Sequence, residues 1–119
     1  MLVIDMDRPV VGLVEEIILN GESELGKVVA RIDTGATKSS VDSKLAAKLR
    51  LGPVIRTKLV KSQHGNSVRP IVHAYVTLAG KKCEADFTIA DRSHLRYKVL
   101  IGQDVLTKGF LIDPLKKQS

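Results

Sequence analysis

The fold of this chain follows from one stretch, Val29-Ala30-Arg31-Ile32-Asp33-Thr34-Gly35-Ala36, in which an apolar run leads directly into a carboxylate and a glycine. The run from Lys27 to Ile32 has the β-branched content of a strand, and the residues after it have the composition of a turn. A carboxylate at the end of a rigid strand projects into open space. Gly35 permits a tight turn and the close approach of another group, and the Thr34 hydroxyl can donate or accept a hydrogen bond.

Length and composition point to a single all-β domain. The chain has 119 residues, which is room for one domain, and we expect it to span residues 1–119. Hydrophobic residues make up 44% and charged residues 27%, as in a globular protein. Aromatic residues are only 3%, whereas Val and Ile supply 23 side chains, so the core must be aliphatic and rich in residues that favour sheets.

Alternation of apolar and polar residues predicts most of the strands. It is clearest in two runs: Val72, Ala74, Val76 and Leu78, then Cys83, Ala85, Phe87 and Ile89. Further strands are predicted at Val10 to Leu19, Val54 to Lys61, Val99 to Gly102 and Phe110 to Ile112. His64-Gly65-Asn66 is a turn signal, so Ile55 to Leu78 is predicted to form a long hairpin.

Helices are predicted to be few. Asp42 can cap a short helix that ends before Gly52-Pro53, and Gln103 to Lys108 has the length of a single helical turn. Six or seven short strands with one helix predict a small closed β-barrel.

The termini and the cysteine content indicate a cytoplasmic protein. Met1 to Pro9 lacks the apolar segment of a signal peptide, and Val10 to Val14 is far shorter than the ~20 residues that cross a bilayer. Cys83 is the only cysteine and cannot form an internal disulfide, which fits a reducing compartment. We therefore expect no membrane partner.

Three segments in this order resemble the retropepsin-like aspartic peptidases, the single-domain family that includes the retroviral proteases. Val29 to Ala36 resembles the catalytic strand and loop, the hairpin around Gly65 resembles the flap, and Val99 to Gly102 resembles the segment before the last helix. The resemblance covers roughly Lys27 to Pro114. It implies a small closed acid-protease barrel with one short helix and a glycine-tipped flap hairpin.

The resemblance also implies an activity and a set of site residues. It implies an aspartic endopeptidase whose catalytic residues are Asp33, Thr34 and Gly35. Because one motif supplies only half of a carboxylate pair, we expect a homodimer that brings Asp33 of each protomer to the symmetry axis. The residues expected to bind a peptide substrate are Ala36, His64, Gly65, Asn66, Arg69, Ile101 and Gly102.

A narrower resemblance is to prokaryotic proteins labelled ATP-dependent zinc proteases, which occur alongside ligases that add glutamate to proteins. The segments that carry it are Arg31 to Ala36, Ser67 to Pro70, Ala90 to Arg92 and Leu100 to Leu106. The sequence has neither a GxxxxGK[ST] loop nor an HExxH motif. The spacing of His64, His73, His94 and Cys83 fits no structural zinc site, so we expect no metal and no other cofactor.

The net charge of +6 bears on the substrate. Lys58, Lys61 and Arg69 flank the predicted flap, while Arg31 and Lys38 flank the catalytic loop. Cations at both places favour acidic or glutamate-rich peptides. A charge of this size is equally typical of an ordinary solvated surface.

Two other functions stay open at this stage. One is a retropepsin-like module that binds or dimerises without proteolysis. The other is a basic β-barrel that binds nucleic acid, although only Tyr75 and Tyr97 could stack on bases, and we expect no specific nucleic-acid binding. Thr37 and Gln103 stand where retroviral enzymes commonly have an acidic residue and an arginine. We therefore expect Thr37 and Gln103 to form a neutral hydrogen bond in place of the ion pair of the retroviral enzymes.

Overall fold

A computed structural model describes residues 7–20, 26–63 and 65–117. The strands and helices in chain order are β1 (Val10–Val11), β2 (Val14–Leu19), β3 (Lys27–Ile32), β4 (Ser40–Asp42), α1 (Ser43–Lys48), β5 (Val54–Ser62), β6 (Gly65–Leu78), β7 (Lys81–Ala90), β8 (Val99–Ile101), α2 (Gln103–Leu106) and β9 (Leu111–Ile112).

The main sheet closes on itself, which confirms the predicted barrel. Its strand order is β2-β3-β8-β4-β7-β6-β5, and an additional pairing of β2 with β6 joins the two ends of a six-stranded ring. Among the described strands, β5 pairs only with β6, so it lies outside the ring. A separate two-stranded sheet is formed by β1 and β9, which run parallel.

The core is aliphatic and follows the predicted alternation. Val72, Ala74, Val76 and Leu78 are at most 1% exposed, while the residues between them, His73, Tyr75 and Thr77, are half-buried or exposed. On β7 Cys83, Ala85 and Phe87 are buried as predicted, but the alternation ends there, because Thr88 is buried and Ile89 is only half-buried. Because successive side chains on a strand point to opposite faces, one face of this hairpin fills the barrel.

The predicted strand from Val10 to Leu19 is wrong in one respect, since it is broken at Gly12. Glu15 is buried, and its Oε2 accepts hydrogen bonds from the Gly12 amide at 2.7 Å and from Lys116 Nζ at 2.9 Å. A side chain at Gly12 would meet the Lys116 carbonyl oxygen at 2.7 Å. The chain therefore changes sheets here, with β1 pairing with β9 and β2 pairing with β3 and β6.

The helix count also differs from the prediction of one helix. Helix α1 begins as expected, with the Asp42 carboxylate accepting from the Lys44 amide at 3.2 Å. Helix α2 is a second helix of one turn that buries Val105 and Leu106 against the barrel. Neither described helix is long and apolar enough to cross a membrane.

The pairing of β3 with β8 positions the candidate site. The two strands run parallel with Ile32 opposite Ile101, although they are far apart in sequence. Parallel neighbours end at the same edge of a sheet, so the residues that follow them, Asp33 and Gly102, lie side by side.

Candidate active site

Asp33 is the first residue after β3, and its position is fixed by its backbone and its side chain. Its amide donates to the Ile101 carbonyl at 2.9 Å, which continues the β3–β8 ladder. Its Oδ1 accepts a hydrogen bond from the Gly35 amide at 2.9 Å. The side chain is half-buried, so the carboxylate is held by the loop yet open to solvent.

The loop after Asp33 turns tightly around this carboxylate. The Ala36 amide donates to the Asp33 carbonyl at 3.3 Å, which closes the turn. A Cβ atom at Gly35 would stand 3.3 Å from Asp33 Oδ1. A side chain at position 35 would therefore be in tight contact with the oxygen that the Gly35 amide binds.

Gly102 packs directly beneath the loop. A Cβ atom there would meet the Ala36 carbonyl oxygen at 2.7 Å and the Lys38 carbonyl at 2.9 Å. The next amide, that of Gln103, donates to the same Ala36 oxygen at 2.8 Å. The backbones of the loop after Asp33 and of the β8–α2 junction are thus in contact, and only glycine fits between them.

The predicted neutral hydrogen bond of Gln103 forms with a different partner from Thr37. Gln103 Nε2 donates to the Thr34 carbonyl at 2.7 Å. The Thr37 carbonyl accepts from the Asp104 amide at 3.3 Å. The Gln103 side chain thus reaches back past Thr37 to Thr34. It links the Thr34 carbonyl to helix α2.

Ser39 and Asp104 lock the loop to α2, and the sequence analysis missed both. Ser39 is completely buried, and its hydroxyl donates to Asp104 Oδ1 at 2.7 Å while accepting from the Gly102 amide at 2.9 Å. Its own amide donates to Asp104 Oδ2 at 3.1 Å. A Ser in an exposed-looking Thr-Lys-Ser-Ser run carries no local sign of burial.

The long hairpin of β5 and β6 covers the loop from one side. Ser62 pairs with Gly65 at the far end of the hairpin, and Gly65 has a φ of 109° that favours glycine. His64 lies outside the described residues. Asn66 is exposed and pairs with Lys61 near the tip.

A cleft of about 400 Å³ lies between the hairpin and the catalytic loop. From the loop it is lined by Gly35, Ala36 and Lys38, and from the hairpin by Lys58 and Arg69. Lys58 and Arg69 are paired across the two strands and therefore project from the same face. The structure thus brings three predicted site residues, Gly35, Ala36 and Arg69, to one cleft.

Two of the residues predicted to contact substrate are Ile101, on β8, and Gly102, which follows it. The Ile101 side chain is completely buried and Gly102 is buried under the loop, so neither faces the cleft. Leu100 lines the cleft instead. Period-two alternation explains this, because Val99 and Ile101 point into the barrel and the residue between them points out.

The cleft is cationic. Lys38, Lys58 and Arg69 line it, and none of them forms an ion pair with a residue in the described part of the chain. The half-exposed carboxylate of Asp86 is paired with Arg56 and His73, each at 3.0 Å. The hydrogen bond with His73, aided by Arg56, lowers the pKa of Asp86, although its partial burial opposes this.

Metal ligands do not converge in residues 7–20, 26–63 and 65–117. No group of three or more His, Cys, Asp or Glu side chains in these ranges is arranged to hold a metal ion. His73 pairs with Asp86, and Cys83 is buried as a free thiol.

Solved structures with a similar fold include two viral proteases. The EIAV protease complexed with the inhibitor HBY-793 has a TM-score of 0.64 at 15% identity, covering 90% of this chain and 93% of that one. The solution structure of the Simian Foamy Virus (mac) protease has a TM-score of 0.59 at 28% identity, covering 81% and 97%. The Legionella pneumophila protein Lpg0085, of unknown function, has a TM-score of 0.62 at 17% identity, covering 93% and 97%. The fold is therefore retropepsin-like.

The sequence profile of one family, described as the retropepsin-like aspartic endopeptidase RimB, matches residues 41–119. This is the larger part of the chain, and the protein belongs to the RimB-like family. The matched segment begins after Asp33-Thr34-Gly35, so membership rests on the flap, β7, β8 and the C-terminal elements rather than on the motif itself. No curated protein matches, and the narrower ATP-dependent zinc protease label is not confirmed.

Proposed function

We propose that this protein is a cytoplasmic aspartic endopeptidase that works as a homodimer, each protomer a single retropepsin-like domain. Asp33 of each protomer contributes one carboxylate to a pair. Two such groups ~3 Å apart cannot both ionise, as is known for aspartic proteases. The charged carboxylate takes a proton from water, and the neutral one donates a proton to the oxygen of the peptide carbonyl.

One observation carries this proposal: the Asp33 carboxylate is partly exposed at the end of a rigid strand and fixed by the Gly35 amide, beside a cleft under a hairpin. A peptide in that cleft would lie with its backbone alongside the β5–β6 hairpin, which is the proposed flap. Thr34 is exposed, so its hydroxyl is available to a second loop across a symmetry axis.

The homodimer is supported by the surface next to the motif. A groove of about 420 Å³ runs from Thr34 and Gln103 to Phe110 and Ile112. Several apolar side chains on or next to the β1–β9 sheet are exposed, and they are Val10, Leu13, Leu111, Ile112 and Leu115. An apolar surface beside Thr34 suits a second copy of this chain, whose docking there would bring the two catalytic loops together.

Acidic peptides are the proposed substrates. The cations Lys38, Lys58 and Arg69 line the cleft without an internal counter-charge among the described residues. A carboxylate of the substrate would supply that charge, and guanidinium–carboxylate hydrogen bonds are among the strong ones.

The test of the activity is hydrolysis of glutamate-containing peptides by the wild type and by Asp33→Asn. We expect the variant to lose nearly all turnover and to keep the thermal unfolding of the wild type. Glu16→Gln is the control, because Glu16 is exposed and the change removes one negative charge as well. Turnover that survives in Asp33→Asn would exclude the mechanism.

The test of the dimer is a mixing experiment. When Asp33→Asn is added in threefold excess, random pairing leaves only about a quarter of the wild-type chains with a wild-type partner. Activity should fall in that proportion, and sedimentation should give the mass of two chains. Activity that does not change when the variant is added would show that a single chain is sufficient for catalysis.

A further inference from the structure

The β5–β6 hairpin leaves the barrel at Ile71. This residue is the partner of Thr88 on β7 and, on its other side, of Arg56 on β5. From Pro70 towards the tip, β6 pairs only with β5 among the described strands. The flap is therefore a two-stranded ribbon, and the row Arg56–Ile71–Thr88 is its root.

Apolar packing contributes little to the position of β5 at this root. Val54 and Ile55 are 53% and 46% exposed, and the register of β5 with β6 is irregular between Val54 and Arg56. A cavity of about 240 Å³, lined by Arg56, Asp86 and Lys38 among others, separates the root from the loop that carries Asp33. The root therefore depends on main-chain pairing with a single strand and on polar contacts.

One such contact ties β5 to β7 across the strand between them. Arg56 Nη2 donates to Asp86 Oδ2 at 3.0 Å, and the other carboxylate oxygen, Oδ1, lies 3.0 Å from His73 Nδ1. His73 and Asp86 are direct partners in the β6–β7 ladder. The carboxylate is therefore oriented by its own sheet, and it holds Arg56 of the flap from there.

Strand β7 also holds the loop that carries Asp33. The Thr88 amide donates to the Ser39 carbonyl at 3.1 Å, and Thr88 is the partner of Ser40 on β4. Asp86 and Thr88 are two positions apart, so their side chains share a face and the two residues are about 7 Å apart. One short segment of β7 is thus attached to the flap root and to that loop.

We propose that Asp86 is a positioning residue for the flap, whose ion pair with Arg56 fixes the root of the β5–β6 hairpin relative to the loop that carries Asp33. The proposal rests on the proposed function and deepens it, because it names the contact that sets the height of the cleft. Asp86 acts through Arg56 and does not touch the substrate. Its effect is therefore on the retention of a bound peptide and not on the proton transfers at Asp33.

The first experiment measures kcat and KM of the full chain on one glutamate-containing peptide. Asp86→Asn and Arg56→Gln should each raise KM about two- to fivefold, the effect expected of one partly exposed ion pair, and leave kcat nearly unchanged. The double variant should raise KM no further than either single change, because both remove the same contact. Arg56→Lys, which keeps the charge, should restore part of the wild-type KM.

The matched control is Glu84→Gln. Glu84 is exposed on the same strand and lies 3.8 Å from His73 Nε2, and the change removes the same charge as Asp86→Asn without touching Arg56. We expect this variant to keep the wild-type KM. A purely structural role of Asp86 would instead lower kcat at constant KM, because fewer molecules would be folded, and that result would overturn the proposal.

The second experiment is amide hydrogen exchange, which needs no activity. In Asp86→Asn the amides of β5 should exchange about two- to fivefold faster, while those of β2 and β3 keep the wild-type rate, because only the root of the flap is released. Unchanged exchange in β5, or an equal increase in all three strands, would overturn the role of Asp86. Failure of the wild type to cleave any peptide would count against the proposed function alone, and the exchange rates would still decide whether Asp86 holds the flap.

Discussion

Ser39 and Asp104, 65 positions apart in the chain, are joined by two hydrogen bonds of 2.7 and 3.1 Å that bind both oxygens of the carboxylate. The same Ser39 hydroxyl accepts from the Gly102 amide. This buried hydroxyl thus connects the loop that carries Asp33 to the start of α2. The loop that carries Asp33 is therefore held in place both by strand β3, which it follows, and by helix α2.

Ser39→Ala should therefore lower the free energy of unfolding and the turnover together. Removal of the hydroxyl leaves the Gly102 amide without its partner and takes one of two donors from Asp104 Oδ1, which keeps the Val105 amide, at a cost of about 1–3 kcal/mol. Chemical denaturation and peptide hydrolysis would measure the two effects. Ser67→Ala on the exposed part of the flap is the matched control, and an equal loss in both variants would contradict this role of Ser39.

Gly102→Ala should abolish turnover. The added methyl would stand 2.7 Å from the Ala36 carbonyl oxygen, so the loop that holds Asp33 must shift. The change tests sterics alone, because the φ of Gly102 is −105°, which alanine adopts readily. Gly80→Ala, in the turn between β6 and β7, is the control. Its φ of 80° strains an alanine, but the added methyl has open space around it, so turnover should be kept. Full activity in Gly102→Ala would show that the loop tolerates displacement.

Asp86 should contribute stability at neutral pH that disappears in acid. Its pKa is lowered in the folded protein by the hydrogen bond with His73, with Arg56 assisting and burial opposing. A lowered pKa means that the stabilisation is present above the unfolded value of about 3.9 and is lost as the pH falls through the folded value. The pair is partly exposed, so the effect of Asp86→Asn should stay within about 1 kcal/mol.

The measurement is the difference in Tm between the wild type and Asp86→Asn across pH 3 to 7, a range set by those carboxylate values. The difference should be largest at the neutral end and shrink below about pH 4. Glu16→Gln, which lacks an ion pair with any described residue, should show no such pH dependence. A difference in Tm between the wild type and Asp86→Asn that grows as the pH falls would contradict the sign of the Asp86 effect.

Lys58→Gln with Arg69→Gln should weaken the hydrolysis of acidic peptides in a salt-dependent way. Both side chains line the cleft from the flap, and their attraction for a carboxylate is screened over about 10 Å at 0.1 M salt. We expect kcat/KM to fall roughly tenfold at low salt and less at high salt, because a pair of partly exposed contacts contributes about that much. Lys48→Gln with Arg50→Gln removes the same charge from α1. An equal loss of kcat/KM in that control variant would show that the effect comes from the net charge of the protein and not from Lys58 and Arg69.

The residue pattern alone determined the class of fold and the location of the motif. Strand positions were predictable from Val72 to Leu78 and from Cys83 to Phe87, because the direction of successive side chains depends only on the local backbone. The helix cap at Asp42 was predictable for the same reason, since its hydrogen bond spans two residues. The turn at Asp33 and the close approach at Gly35 are equally local.

Only the tertiary structure decided which strands are neighbours and hence which side chains meet. Any β-branched strand can pair with another, so nothing local indicates that β3 lies parallel to β8 or that Arg31 and Ser40 share the partner Leu100. The break at Gly12 depends on Lys116, at the other end of the chain. Ser39 and Asp104 meet for the same reason. Local alternation fixes the direction in which a side chain points, and long-range pairing fixes what it contacts.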